Sequence, residues 1–237
     1  MWDRKELKRQ GEKQFRANYW NCVLVTLIYS LVSGCLEVVC EMLPSTQAAT
    51  NYVADGWELV ERVASISLTA SLLSLIVSIF LFSPLQVGCY RFFLVNAVSY
   101  EPQNKTKFGI IGYAFKHDYW KSVLTMFLTT VFTFLWGLLL VIPGIIKSYS
   151  YRMVPFLITE YPELSATEII TLSRKITKGY KWNLFALDLS FLGWMLLTLL
   201  TGGILGIFYV VPYRYQTEAQ AYHFLKEMYK RNCEPVV

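Results

Sequence analysis

Three arginines stand inside long apolar runs, each directly after a tyrosine: Tyr90-Arg91, Tyr151-Arg152 and Tyr213-Arg214, with Pro84, Pro143 and Pro212 close by. A guanidinium at membrane depth is costly, so such groups turn inward, find partners and mark function. Two carboxylates sit in similar surroundings. Counted from Gly202-Gly203, Asp188 is 14 residues back and Glu218 is 15 forward; at 1.5 Å of helix rise per residue both lie about 20 Å from that turn. Arg214 precedes Glu218 by one helical turn, so a cluster of Glu218, Arg214 and Asp188 is expected between the last two helices. Either Arg91, Arg152 and Arg214 converge and hold an anionic group, such as a lipid phosphate or a carboxylate, or each pairs locally with a carboxylate or extends to the inner interface, as Arg91 can. Lys147, four residues past Pro143, is a further intramembrane charge and is expected to reach the outer surface.

Catalytic signatures are missing from the sequence. The two histidines are His117 and His223, and there is no H-E-x-x-H, no G-x-S-x-G and no Gly-rich phosphate loop. The serines, cysteines and aspartates have no plausible base at the same depth, which points away from an enzyme. Five cysteines (Cys22, Cys35, Cys40, Cys89 and Cys233) show no metal-ligand spacing, so neither a metal nor a cofactor is expected. Cys35 and Cys40 are five apart on one helix, which aims them to different sides and argues against a disulfide between them.

Helices must carry these charges. The chain is 54% hydrophobic and 16% charged, against about 25% charged in soluble domains. Six apolar runs, at 19–40, 66–96, 120–141, 143–160, 182–201 and 203–223, have the length needed to cross a hydrocarbon core, about 20 residues with a range down to about 17. The prediction is an all-α polytopic protein with six transmembrane helices in a single membrane domain over 1–237. Lys and Arg number six in 1–19, four in 99–121, four in 160–181 and three after 223, against Arg62 alone in 41–65. Basic connections stay inside, so both termini of this multi-pass protein are expected to be cytoplasmic. The 41–65 connection, with Glu41, Asp55, Glu58 and Glu61, then faces outward. The net charge of +5 is explained by this topology, and a nucleic-acid partner is not expected. No cleavable signal peptide is visible.

Trp20, Trp120 and Trp182 read as interfacial anchors. Trp120 to Arg152 and Trp182 to Arg214 are each 32 positions, and Trp20 to Arg91 is 71, which suggests three pseudo-repeated helical hairpins: 1–98 with an outer insertion at 41–65, 99–160, and 161–237. An interfacial amphipathic helix introduces each hairpin. Leu7 and Phe15 mark the first; Phe108, Ile111, Ala114 and Phe115 mark the second. The third has a Ser165-x-x-Glu168 capping box, a stripe of Ile169, Ile170 and Ile176, and Gly179 at its end. Outer turns are expected at Ile142-Pro143-Gly144 and Gly202-Gly203. Ile66 to Val98 would be about 50 Å of helix, too long for one core, so it bends at Pro84 or projects.

Three stretches carry a resemblance: Phe82-Ser83-Pro84-Leu85-x-Val87-Gly88-x-x-Arg91-Phe92-Phe93-Leu94; Ile142-Pro143-Gly144-Ile145-Ile146-Lys147-Ser148-Tyr149-Ser150-Tyr151; and Lys178-Gly179-x-Lys181-Trp182 with Leu187-Asp188-Leu189-Ser190-Phe191-x-Gly193-Trp194. Over nearly the whole chain, apart from the 41–65 insertion, the sequence resembles the bacterial integral membrane family catalogued as domain of unknown function 975. That family is distantly similar to the membrane domain fused to some glycerophosphodiester phosphodiesterases, which implies a lipid-related or envelope role and supplies no catalytic residue. The expected function is a non-enzymatic membrane protein that binds a lipid or amphipathic ligand in transport or envelope homeostasis, with membrane lipids and an amphipathic peptide or protein as partners. The alternatives are a scaffold recruiting a partner through its basic inner helices, and a small-solute transporter.

Overall fold

The first helix, α1 (Arg4–Ala17), starts where the Asp3 carboxylate accepts the Lys5 N–H at 2.9 Å. Its apolar positions Leu7, Gly11 and Phe15 recur every fourth residue and are buried, while the charged positions face out. The computed structural model describes residues 2–42, 76–98, 108–117 and 119–233. After Asn18 the chain enters α2 (Tyr19–Met42), then a π-helical turn (Ser78–Phe82) leading into α3 (Ser83–Val98). A 3-10 turn (Phe108–Gly112) and α4 (Tyr113–Lys116) precede α5 (Tyr119–Leu139) and α6 (Val141–Tyr151). The chain continues through α7 (Val154–Glu160), α8 (Ala166–Ile176), α9 (Lys181–Leu189) and α10 (Leu192–Leu200), and a second π-helical turn (Gly206–Val210) opens α11 (Val211–Cys233). Among the described residues there is no strand.

Among the described residues three helices are long and apolar enough to cross a membrane: Ile79–Val98, Tyr119–Leu139, and α9 with α10 as Lys181–Leu200. The other expected spans differ for visible reasons. The 143–160 run is divided between α6 and α7, which resumes at Val154 with Pro155 in its first turn. The 203–223 run carries Arg214, Gln216, Glu218 and Gln220 along α11. Helix α2 runs through the 19–40 run, of which the described side chains cover the apolar stretch Tyr19–Gly34. Residues 43–75, which hold most of the 41–65 insertion and the start of the second span, lie outside the described residues, as do the side chains of Glu41, Cys35, Cys40 and Cys233.

Proline explains both π-helical turns. Each is followed within two residues by a proline, Pro84 or Pro212. A proline offers no N–H to the carbonyl four residues back, and its ring crowds that carbonyl, so the ladder widens there. Pro143 behaves differently and corrects the expected turn. The α5–α6 connection falls at Leu140, whose φ of −160° and ψ of 139° are extended, and Pro143 sits in the first turn of α6, where its missing N–H removes a donor that had no intrahelical partner. The Gly202-Gly203 turn is where expected. With φ of +61° and +89°, the two glycines close a Schellman motif, Gly203 N–H to Thr198 O at 2.9 Å and Gly202 N–H to Leu199 O at 3.2 Å.

Aromatic packing builds the core between α1, α3, α7 and α11, with Phe15, Phe92, Phe93, Phe156 and Tyr222 fully enclosed. The opposite end is unlike it: Leu138, Leu139, Ile142, Leu199, Leu200 and Ile204 are 65–82% exposed. A polar latch crosses the core. Asn18 Nδ2 donates to Asn96 Oδ1 at 3.0 Å, and Asn96 Nδ2 donates to Gln216 Oε1 at 2.8 Å, joining the α1–α2 corner, α3 and α11. Helix α1 lies tightly on α11. A Cβ added to Gly11 would stand 2.6 Å from Thr217 Oγ1 and 2.9 Å from its Cα. Arg4 and Lys8 donate to Ala186 O (3.4 Å) and Ser190 O (3.3 Å) where α9 ends, cations at the negative end of that helix.

Candidate functional site

The α6–α7 break directs Arg152 into the bundle, and Arg152 organises the charged cluster. Its Nε donates to Glu218 Oε1 at 2.6 Å. Its Nη1 and Nη2 grip the two oxygens of Asp188, the latter bond 2.9 Å long. This fork-to-carboxylate geometry is the strong form of an ion pair. Asp188 also accepts Arg214 Nη2 at 3.2 Å and the Tyr149 hydroxyl at 3.0 Å. Two cations and two carboxylates balance, so the cluster as a whole is neutral.

The two arginines are not equivalent. Arg152 is 13% exposed and commits three of its five donors to carboxylates, whereas Arg214 is 37% exposed and places one bond on Asp188. Arg214 therefore has donors free for something else. It faces a cavity of about 620 Å³ that α3, α5, α6, α10 and α11 enclose above the cluster. Thr129, Thr133, Ser148 and Thr198 line its walls. Each of these hydroxyls donates back to a carbonyl of its own helix at 2.7–2.9 Å, which leaves their lone pairs as acceptors. Met126, Met195, Val210 and Pro155 supply apolar wall. Donors at the floor, hydroxyl acceptors on the sides and apolar surface between them suit a molecule with an anionic head and an apolar body.

Of the other expected positions, Arg91 lies apart. It donates to Thr159 O at 2.7 Å, and its guanidinium stacks 3.5 Å from the Tyr113 ring centroid. The three arginines thus do not share one cavity: Arg152 and Arg214 meet at Asp188, and Arg91 lines a second pocket. The expected i, i+4 partners Arg214 and Glu218 are joined only through Arg152 and Asp188. Lys147 is outside the cluster, its Nζ 4.3 Å from the Trp136 ring centroid. Trp20, Trp120 and Trp182 each stand in the first turn of a helix and are 71–75% exposed. Each has an aromatic neighbour on its own helix, Tyr19, Tyr119 and Phe185 respectively. The tyrosines of the Tyr-Arg steps, Tyr90, Tyr151 and Tyr213, are all buried. Tyr149 was not anticipated, although its position three residues before Arg152 on one helical face is a usable signal. Among the described residues, no group of three or more His, Cys, Asp or Glu has the arrangement of a metal site.

Residues 137–229, which hold Arg152, Asp188, Arg214 and Glu218, match the family model described as protein of unknown function (DUF975). The match spans the later part of the chain only; the 82–94 stretch quoted above lies outside it. No curated protein and no solved structure matches the chain.

Proposed function

We propose that the whole chain is a DUF975-type protein of the bacterial cell membrane, spanning it six times as three pseudo-repeated hairpins with both termini cytoplasmic, and that it binds a lipid or lipid-like amphiphile rather than catalysing a reaction. The exposed leucines and isoleucines around Leu139 and Leu200 favour a hydrocarbon surrounding, since a soluble chain rarely leaves so continuous an apolar surface in water. One observation carries the binding assignment: Arg214, with donors to spare, forms the floor of a partly apolar cavity whose other arginine is held by both carboxylates.

The test uses dodecyl phosphate as probe and native mass spectrometry of the full chain in detergent. The wild type is expected to retain dodecyl phosphate, and Arg214→Ala to weaken retention roughly tenfold or more, the loss of one charge-assisted contact. Equal retention by wild type and variant overturns the assignment. A scaffold role is the second reading, favoured by the outward charged face of α1, where Lys5 and Lys13 are exposed. Because α1 is packed on α11, deleting it would disturb the bundle. Lys5→Glu with Lys13→Glu tests recruitment while leaving the helix in place, and partner recovery unchanged by it removes the scaffold reading. Solute transport through the cavity would instead give vesicle flux that Asp188→Asn abolishes.

A further inference from the structure

The pocket at Arg91 is distinct from the cavity above Asp188 and has its own charge balance. About 400 Å³ in volume, it is lined by Arg91, Thr159, Glu160, His223 and an apolar strip from α3 formed by Leu94, Val95 and Val98. Arg91 is held in place by the Thr159 carbonyl and the Tyr113 ring, and among the described residues no carboxylate pairs with it. Glu160 is occupied: its Oε2 accepts the Tyr222 hydroxyl at 2.5 Å and Lys226 Nζ at 2.6 Å. Arg91 and Lys226 against Glu160 leave one positive charge before His223 is counted. His223 lines the same pocket, and its Nε2 is buried without a hydrogen-bond partner. A buried polar nitrogen left unmatched calls for an explanation, and a phosphate group supplies one: its oxygens accept from Arg91 and from a charged imidazole, and a headgroup hydroxyl donates to a neutral one.

The position in the bundle narrows the source of that phosphate. His223 is 20 residues beyond Gly203, about 30 Å along the helix and so one hydrocarbon thickness from the Gly202-Gly203 turn. Leu94, Val95 and Val98 give the pocket an apolar side. We propose that this pocket is a second, separate phosphate-binding site, filled by the headgroup of an anionic phospholipid of the inner leaflet, with Arg91 and His223 as its contacts. The phosphate chemistry rests on the pocket alone, and the lipid source rests on the membrane reading above.

The test is native mass spectrometry of the full chain titrated separately with phosphatidylglycerol, phosphatidylcholine and sodium phosphate. Phosphatidylglycerol is expected to bind at least tenfold more tightly than phosphatidylcholine. In an Arg214→Ala background, which removes the anion contact of the other cavity, Arg91→Gln and His223→Phe should each reduce that preference at least fivefold, and Arg91→Lys should keep part of it. Glu160→Gln, which adds one unit of positive charge, should increase it. No preference in the Arg214→Ala background, or a preference there that both Arg91→Gln and His223→Phe leave unchanged, overturns the site. Sodium phosphate bound through Arg91 with no preference between the two lipids overturns the lipid source. If Arg91→Gln does not fold, His223→Phe and Glu160→Gln decide by their opposite directions. Loss of dodecyl phosphate retention in Arg214→Ala reports on the other cavity, so the two proposals fail separately.

Discussion

Arg152 is the residue on which the charged cluster depends, because it alone touches both carboxylates. With side chains 13%, 20% and 6% exposed, Arg152, Asp188 and Glu218 have little water to replace a lost partner. Removing one member of such a buried pair leaves uncompensated charge and typically costs about 3–5 kcal/mol, while removing all of the charges together is far less damaging. Arg152→Met is therefore expected to lower the thermal midpoint in detergent strongly. Arg152→Met combined with Asp188→Asn and Glu218→Gln should recover much of the loss. Arg152→Lys should fall between them, since a single ammonium cannot reproduce the fork that grips Asp188. Arg214→Ala should be the mildest, because its guanidinium is partly in solvent and makes one 3.2 Å bond to Asp188. If Arg214→Ala destabilises the fold more than Arg152→Met, these roles are assigned to the wrong arginines.

Elements with a local cause were legible in the sequence, and contacts between distant elements were not. The capping box at α8 is one that was: the Ser165 N–H and hydroxyl both donate to Glu168 Oε2, at 2.8 and 2.7 Å, while Ile169, Ile170 and Ile176 are buried as their spacing predicts. These bonds from Ser165 hold the Glu168 carboxyl below its ordinary range. A carboxyl with a lowered folded-state pKa stabilises in full above its unfolded-state value and loses that contribution as pH falls through the folded one. Ser165→Ala should cost about 1 kcal/mol near neutrality. Glu168→Gln should also destabilise near neutrality, and melts repeated at falling pH should show its deficit closing once the wild-type carboxyl is protonated. A deficit independent of pH argues against the charged bond. By contrast, the central place of Arg152 required the α6–α7 break to turn it toward α9 and α11. The Asn18–Asn96–Gln216 latch joins residues 78 and 120 positions apart. Neither follows from spacing, because both depend on which helices pack together. The depth match of Asp188 and Glu218 was readable, since both are counted from one turn.

Across the whole molecule the described part has two unlike ends, and the proposed membrane topology rests on that difference. Aromatic core, polar latch and most of the charges gather with Trp20, Trp120 and Trp182 at one end, while apolar side chains are exposed around Leu140 and Gly202-Gly203 at the other. Trp120 is 20 residues from Leu140, and Trp182 is 20 from Gly202, each about 30 Å of helix and the thickness of a hydrocarbon core. In the proposed topology the tryptophan end is cytoplasmic, as the Lys and Arg bias of the connections requires. Two exposed positions test this, Thr201 at the glycine turn and Glu163 between α7 and α8. In a background with all five native cysteines changed to alanine, Thr201→Cys should react with a membrane-impermeant maleimide on intact cells, and Glu163→Cys only after permeabilisation. The reverse pattern would invert the topology, and labelling of both positions on intact cells would remove the membrane span between them. Either result would also move the Arg91 pocket away from the inner leaflet, since His223 lies on the Trp182 side of the same turn.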